Sequence, residues 1–231
     1  NALVDVHRDT EVADALINQR YEDLYEVKEN IIDMSSHEAI SESLSAYVGS
    51  EQFGTLRFLC KGKVYDVSGA EVTDEVEEIQ NFSGLNRKAC SGEYLDDMVN
   101  KSCIAFYIPI VGSEQIDGLV SIVEARNFID VTTVLNDRAL AVAVITETGY
   151  NLAQMIREDL GYSIGNDYYK FIDTLAQNEE TGNKVLLAIR SGEGVVNITV
   201  NGQAHTVAVK SPQLSDGKLF VVSLSSSEAL M

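Results

Sequence analysis

The chain has 231 residues, 45% of them hydrophobic, enough for one large core or two small ones. Its 17 basic and 36 acidic side chains leave a net charge of −19, a field that repels nucleic-acid phosphates and anionic lipid surfaces. No stretch reaches the roughly 18 consecutive apolar residues of a membrane-spanning helix.

Asn1-Ala2 has the look of a pair left by cleavage of an affinity tag and is set aside from the fold, and the chain is expected to be a piece of something larger. Residues 3 to 34 hold no Gly or Pro, and Ile17, Tyr21, Leu24, Val27, Ile31 and Met34 recur in steps of three and four. That spacing places one apolar stripe on a long helix. Ser35-Ser36 ends it, and a shorter helix is expected from His37 to Val48.

Two strand-like runs follow in TLRFLCKGKVYDVSG, 55 to 69, with Lys61-Gly62 between them. A two-residue turn there sets Cys60 opposite Lys63, Phe58 opposite Tyr65 and Arg57 opposite Asp66, with the aromatic pair on one face and an ion pair on the other. Residues 74 to 90 have a helical texture that stops near Ser91-Gly92. FYIPIVGSEQIDGLVSIVEA, 106 to 125, then gives two more strands, and Pro109 inside the first belongs where its missing N–H has no partner, at an edge or a bulge.

A helical link is expected at 127–138, and the pattern then repeats. ALAVAVI, 139 to 145, meets a turn at Glu147-Thr148-Gly149 and a strand running to Met155. Helices are expected from Asp167 and over Asn183 to Arg190, followed by VVNITVNGQAHTVAVK and KLFVVSLS. Asn201-Gly202 is a strong hairpin signal that pairs Val200 with Gln203, Ile198 with His205 and Val196 with Val207. The fold class that results is α+β: a long N-terminal helix and two modules, each an antiparallel sheet with helices on one face.

None of this spells a catalytic centre. His7, His37 and His205 lie far apart, and HExxH, GxSxG, GxGxxG and Walker-type loops are all missing. Cys60, Cys90 and Cys103 are odd in number and lack CxxC spacing, which points to small buried residues, although one disulfide with a spare thiol also fits the count. No enzyme activity, metal or cofactor is expected.

The doubled pattern resembles the double Cache family of extracytoplasmic sensor domains, built from two PAS-like modules. The resemblance is carried by KGKVYDVSG, ACSGEYLDD and FYIPIVGSEQIDGLVSIVEA in the first half, and by AVITETGYNLAQ, VVNITVNGQAHTVAV and KLFVVSL in the second. It implies N-terminal helices at 3–48, a membrane-distal module at 49–126 and a membrane-proximal module at 139–231. It also implies the ligand-sensing part of a membrane-anchored receptor (a histidine kinase, diguanylate cyclase or chemoreceptor) on the outer side of the membrane, signalling through the N-terminal helix. A small molecule would sit in the first module, where the family's pocket maps to Arg87, Tyr94, Asp97, Tyr107 and Glu124. Arg87 would clamp a carboxylate, Asp97 or Glu124 would accept from an ammonium group, and the tyrosines would wall the pocket. Amino-acid-binding members share an Arg-and-Trp motif, whereas this chain has no Trp. Two other readings stand beside this one: an ectodomain that pairs subunits as a homodimer through the N-terminal helix, and a cytosolic PAS or GAF-type regulatory pair.

Overall fold

The computed structural model describes residues 2–128 and 139–227. They form two compact units, one of residues 17–125 and the other of residues 1–16 with 126–231. The division falls inside the first helix, α1 (Ala2–Asn30), so that helix contributes to both. Ala2, set aside from the sequence, is the first residue of α1 and is buried. The link expected at 127–138 lies almost wholly outside the described residues.

In the first unit the stripe is buried as its spacing requires, but α1 ends at Asn30 rather than at Ser35-Ser36, so Ile31 and the half-buried Met34 lie beyond the helix. Ile17, Tyr21, Leu24, Val27 and Ile31 are all buried, with Tyr21 edge-on to Phe106 at 5.8 Å. That seam is used within the unit, so it is not left free to pair two chains. Helix α2 (His37–Ser45) begins where Ser36 caps it, its Oγ accepting from the backbone N–H of Ala39 at 3.2 Å.

The sheet of this unit contains β1 (Thr55–Cys60), β2 (Lys63–Asp66), β3 (Ala89–Cys90), β4 (Tyr94–Asp96), β5 (Lys101–Pro109) and β6 (Gly118–Glu124). All pairs are antiparallel, in the order β2-β1-β6-β5-β3, with β4 also on β5. The β1–β2 register is the expected one, and Phe58 stacks on Tyr65 at 5.2 Å. Lys61 and Gly62 both have positive φ, as the tight twisted turn demands. The ion pair expected between Arg57 and Asp66 does not form. One Asp66 carboxylate oxygen instead accepts from Ser68 N, Ser68 Oγ and Ala70 N, which closes its own turn.

Pro109 ends its strand rather than interrupting it, opposite Gly118. Ile110 N donates across to Asp117 O, and successive N–H groups alternate sides, so the position Pro109 leaves empty faces away from β6. On that side β3 stops at Ala89, opposite Tyr107, so no ladder bond is lost.

The helix expected over 74–90 shrinks to one turn at Thr73–Glu75 and a short α3 (Glu77–Gln80). Val72, Val76, Ile79 and Phe82 do keep helical spacing and all are buried against the sheet. Gly84, at φ +77°, then turns the chain away before a longer helix can form.

The second unit repeats the scheme with β7 (Ala141–Thr146), β8 (Asn151–Ile156), α4 (Tyr168–Ala176), α5 (Thr181–Arg190), β9 (Glu193–Val200), β10 (Gln203–Lys210) and β11 (Leu219–Ser226). Its sheet order, β8-β7-β11-β10-β9, is the first sheet's order in the same sequence of elements. Asp167 caps α4, and the β9–β10 register is the one its Asn-Gly turn sets. The first half of α1 is anchored here through Asp14, whose carboxylate accepts from the backbone N–H groups of Gln213 (3.0 Å) and Leu214 (2.8 Å).

Candidate functional site

Side chains alternate across a strand, so the first sheet has two faces. Phe58 and Phe106 point to the face packed by α1 and α2. The opposite face carries Arg57 and Leu59 from β1, Tyr94 and Asp96 from β4, Cys103, Ala105 and Tyr107 from β5, and Val120, Ile122 and Glu124 from β6. Val72, Val76, Ile79, Phe82 and Leu85 pack against its apolar part, with Val99 beside them, so residues 72–85 form a cap.

Of the expected site residues, Tyr94, Tyr107 and Glu124 share this face, while Arg87 and Asp97 are exposed. Tyr107 is fully buried. Its ring stacks on Phe82 at 5.3 Å, and its hydroxyl donates to Leu85 O at 2.9 Å and Asp117 O at 3.3 Å. It therefore latches the cap to the sheet. The ring has room only because residue 118 is glycine: a Cβ there would lie 2.1 Å from Tyr107 Cε2. Glu124 meets Lys101 at 2.7 Å on the partly exposed rim.

The chemical centre of the face is a pair absent from the expected set. Arg57 donates through Nη1 to Asp96 Oδ2 (2.7 Å) and through Nη2 to Asp96 Oδ1 (2.9 Å), and both side chains are at most 1% exposed. Tyr94 Oη donates to Asp96 Oδ2 at 3.1 Å, and Val99 N to Oδ1 at 2.9 Å. The Nε–H of Arg57 is buried and meets no acceptor. Burial pushes the Asp96 carboxyl up, but the hydrogen bonds from Arg57 and Val99 outweigh it and hold the group below the usual carboxylate range. Burial, then the charge of Asp96, raises the Tyr94 phenol and pushes the Cys103 thiol up to about 11. Both stay protonated at neutral pH, so Cys103 is no nucleophile. All three cysteines are buried.

The matching face of the second sheet is different. Ala141, Ala143 and Ile145 stand on its first strand, with Val207, Val209, Phe220, Val222 and Leu224 beside them, all buried under α4 and α5. His205 sits at the margin of its hairpin, its Nδ1 3.0 Å from Gln203 O. Among the described residues there is no group of three or more His, Cys, Asp or Glu side chains able to hold a metal ion, and no helix is long and apolar enough to cross a membrane.

No family model and no curated protein matches the sequence. Solved structures do match. The sensory domain of the Campylobacter jejuni chemoreceptor Tlp3 with isoleucine bound superposes with a TM-score of 0.64 at 13% identity, over 99% of this chain and 92% of that one. The ligand-binding domain of the Pseudomonas fluorescens chemoreceptor CtaA in complex with L-leucine gives 0.58 at 12% identity, over 96% and 91%. The periplasmic sensory domain of the Campylobacter jejuni chemoreceptor Tlp1 gives 0.58 at 12% identity, over 99% and 95%. The chain thus has the fold of these chemoreceptor sensory domains from end to end, the α+β double Cache arrangement of a long helix and two PAS-like modules.

Proposed function

We propose that the chain is the extracytoplasmic ligand-sensing part of a transmembrane signalling receptor, and that a small molecule binds in its first unit between the sheet face and the cap at 72–85. The observation that carries this is the asymmetry between two sheets of one topology. The first buries a guanidinium–carboxylate ion pair on the face where the second, among the described residues, buries apolar side chains with His205 at the margin and the Tyr168 phenol above them, and no ion pair. A buried ion pair adds little stability over an apolar core, so its presence on one sheet alone fits a recognition role. The likeness to domains solved with isoleucine and leucine supports the same reading. Ligand would favour one setting of the cap over another, and only that difference can be passed on as a signal.

A second reading, an interaction ectodomain that takes no small molecule, is favoured by the closure of this face, where Arg57, Asp96 and Tyr107 are at most 1% exposed. Thermal-shift screening against amino acids, carboxylates, amines, purines and sugars separates the two. A rise in melting temperature for one compound class is expected. No response from any class would leave the second reading in its place.

A further inference from the structure

Resting on the sensing role just described, we infer that the first-unit site takes an uncharged small molecule bearing an acceptor oxygen, and not a free amino acid. Both charged groups of the site are already committed to each other. Asp96 accepts from Arg57 Nη1, Arg57 Nη2, Tyr94 Oη and Val99 N. A carboxylate offers about four lone-pair positions, so an incoming ammonium finds none open. The end-on fork of the guanidinium is equally occupied. A ligand carboxylate would set a second negative charge near Asp96, out of water, with one cation to serve both.

Nη1 and Nη2 each spend one of their two N–H groups on Asp96, whereas Nε of Arg57, enclosed on a side chain 1% exposed, is the guanidinium nitrogen that meets no acceptor at all. In an end-on pair its N–H lies along the side edge of the guanidinium, directed away from Asp96. A donor cut off from solvent is costly until an oxygen lone pair meets it, and a carbonyl, amide or hydroxyl oxygen supplies one without adding charge. The rest of the face suits an uncharged body, since Cys103, Tyr107, Val120 and Ile122 are all buried there.

The test is thermal shift and calorimetric titration of the whole chain with four probes of similar shape and different charge: L-leucine, isocaproate, isoamylamine and isocaproamide. A panel of uncharged nucleobases, sugars and amides accompanies them. An uncharged compound is expected to raise the melting temperature by several degrees while the charged and zwitterionic probes leave it unchanged. Arg57→Lys keeps a cation for Asp96 but removes the Nε–H, and should weaken that binding about tenfold or more. Binding of L-leucine or another amino acid, with the uncharged compounds silent, would overturn the inference and leave the sensing role standing. Unchanged affinity in Arg57→Lys would also overturn it. Silence from every compound would remove both.

Discussion

Arg57 and Asp96 stand 39 residues apart in the chain and are fully removed from water together. Breaking such a pair from one side strands a buried charge. Arg57→Met and Asp96→Leu are each expected to cost about 3–5 kcal/mol, whereas the double variant should lie within about 1–2 kcal/mol of the wild type. Denaturant unfolding of the four proteins measures the coupling, and additive costs would show that the two side chains act independently. The pair also sets a pH response. The folded-state pKa of Asp96 lies below its unfolded value, so its contribution is fully present above the unfolded value of about 3.9 and is lost as pH falls through the folded one. Acid unfolding of the double variant should therefore begin from a flatter stability–pH curve below about pH 4 than that of the wild type. Half of this was legible in the sequence. Arg57 is the one charge in TLRFLC, and alternation puts it on the face of Leu59. Its partner was not legible, because register alone offered Asp66, whose carboxylate is taken by its own turn. Of the adjacent Asp96 and Asp97, a shift of one residue decides which turns inward, and only the pairing of β4 with β5 fixes that.

At the scale of elements, the hairpins were readable because a two-residue turn fixes the register of every residue that follows, as the Lys61-Gly62 and Asn201-Gly202 turns do here. The cap was not, since Val72, Val76, Ile79 and Phe82 keep helical spacing although only four residues become α-helix. What holds this irregular segment down is Tyr107, through Phe82 and the Leu85 carbonyl, with Gly118 making space for its ring. Tyr107→Phe is expected to cost about 1 kcal/mol and to speed hydrogen exchange around residues 82–86 while leaving the second sheet unchanged. Gly118→Ala forces the ring from its place and should cost about 1–3 kcal/mol. Exchange at 82–86 unaltered in both variants would deny Tyr107 its role as latch.

Across the whole molecule, two sheets share one strand order, and the repeat could be read from the sequence because each half spaces its strands and helices alike. The division of α1 between the units could not, since residues 3 to 34 hold no Gly or Pro to mark it. The proposed placing of recognition in residues 17–125 rests on the difference between the two faces, one with a buried ion pair at its centre and one without. Hydrogen exchange of the whole chain tests this most directly, run with and without the compound that gives the largest thermal shift. Slowed exchange concentrated at residues 72–85, and abolished in the Arg57→Met/Asp96→Leu variant, is the expected result. Protection confined to α4, α5 and the sheet beneath them, or protection that persists in the double variant, would contradict a first-unit site.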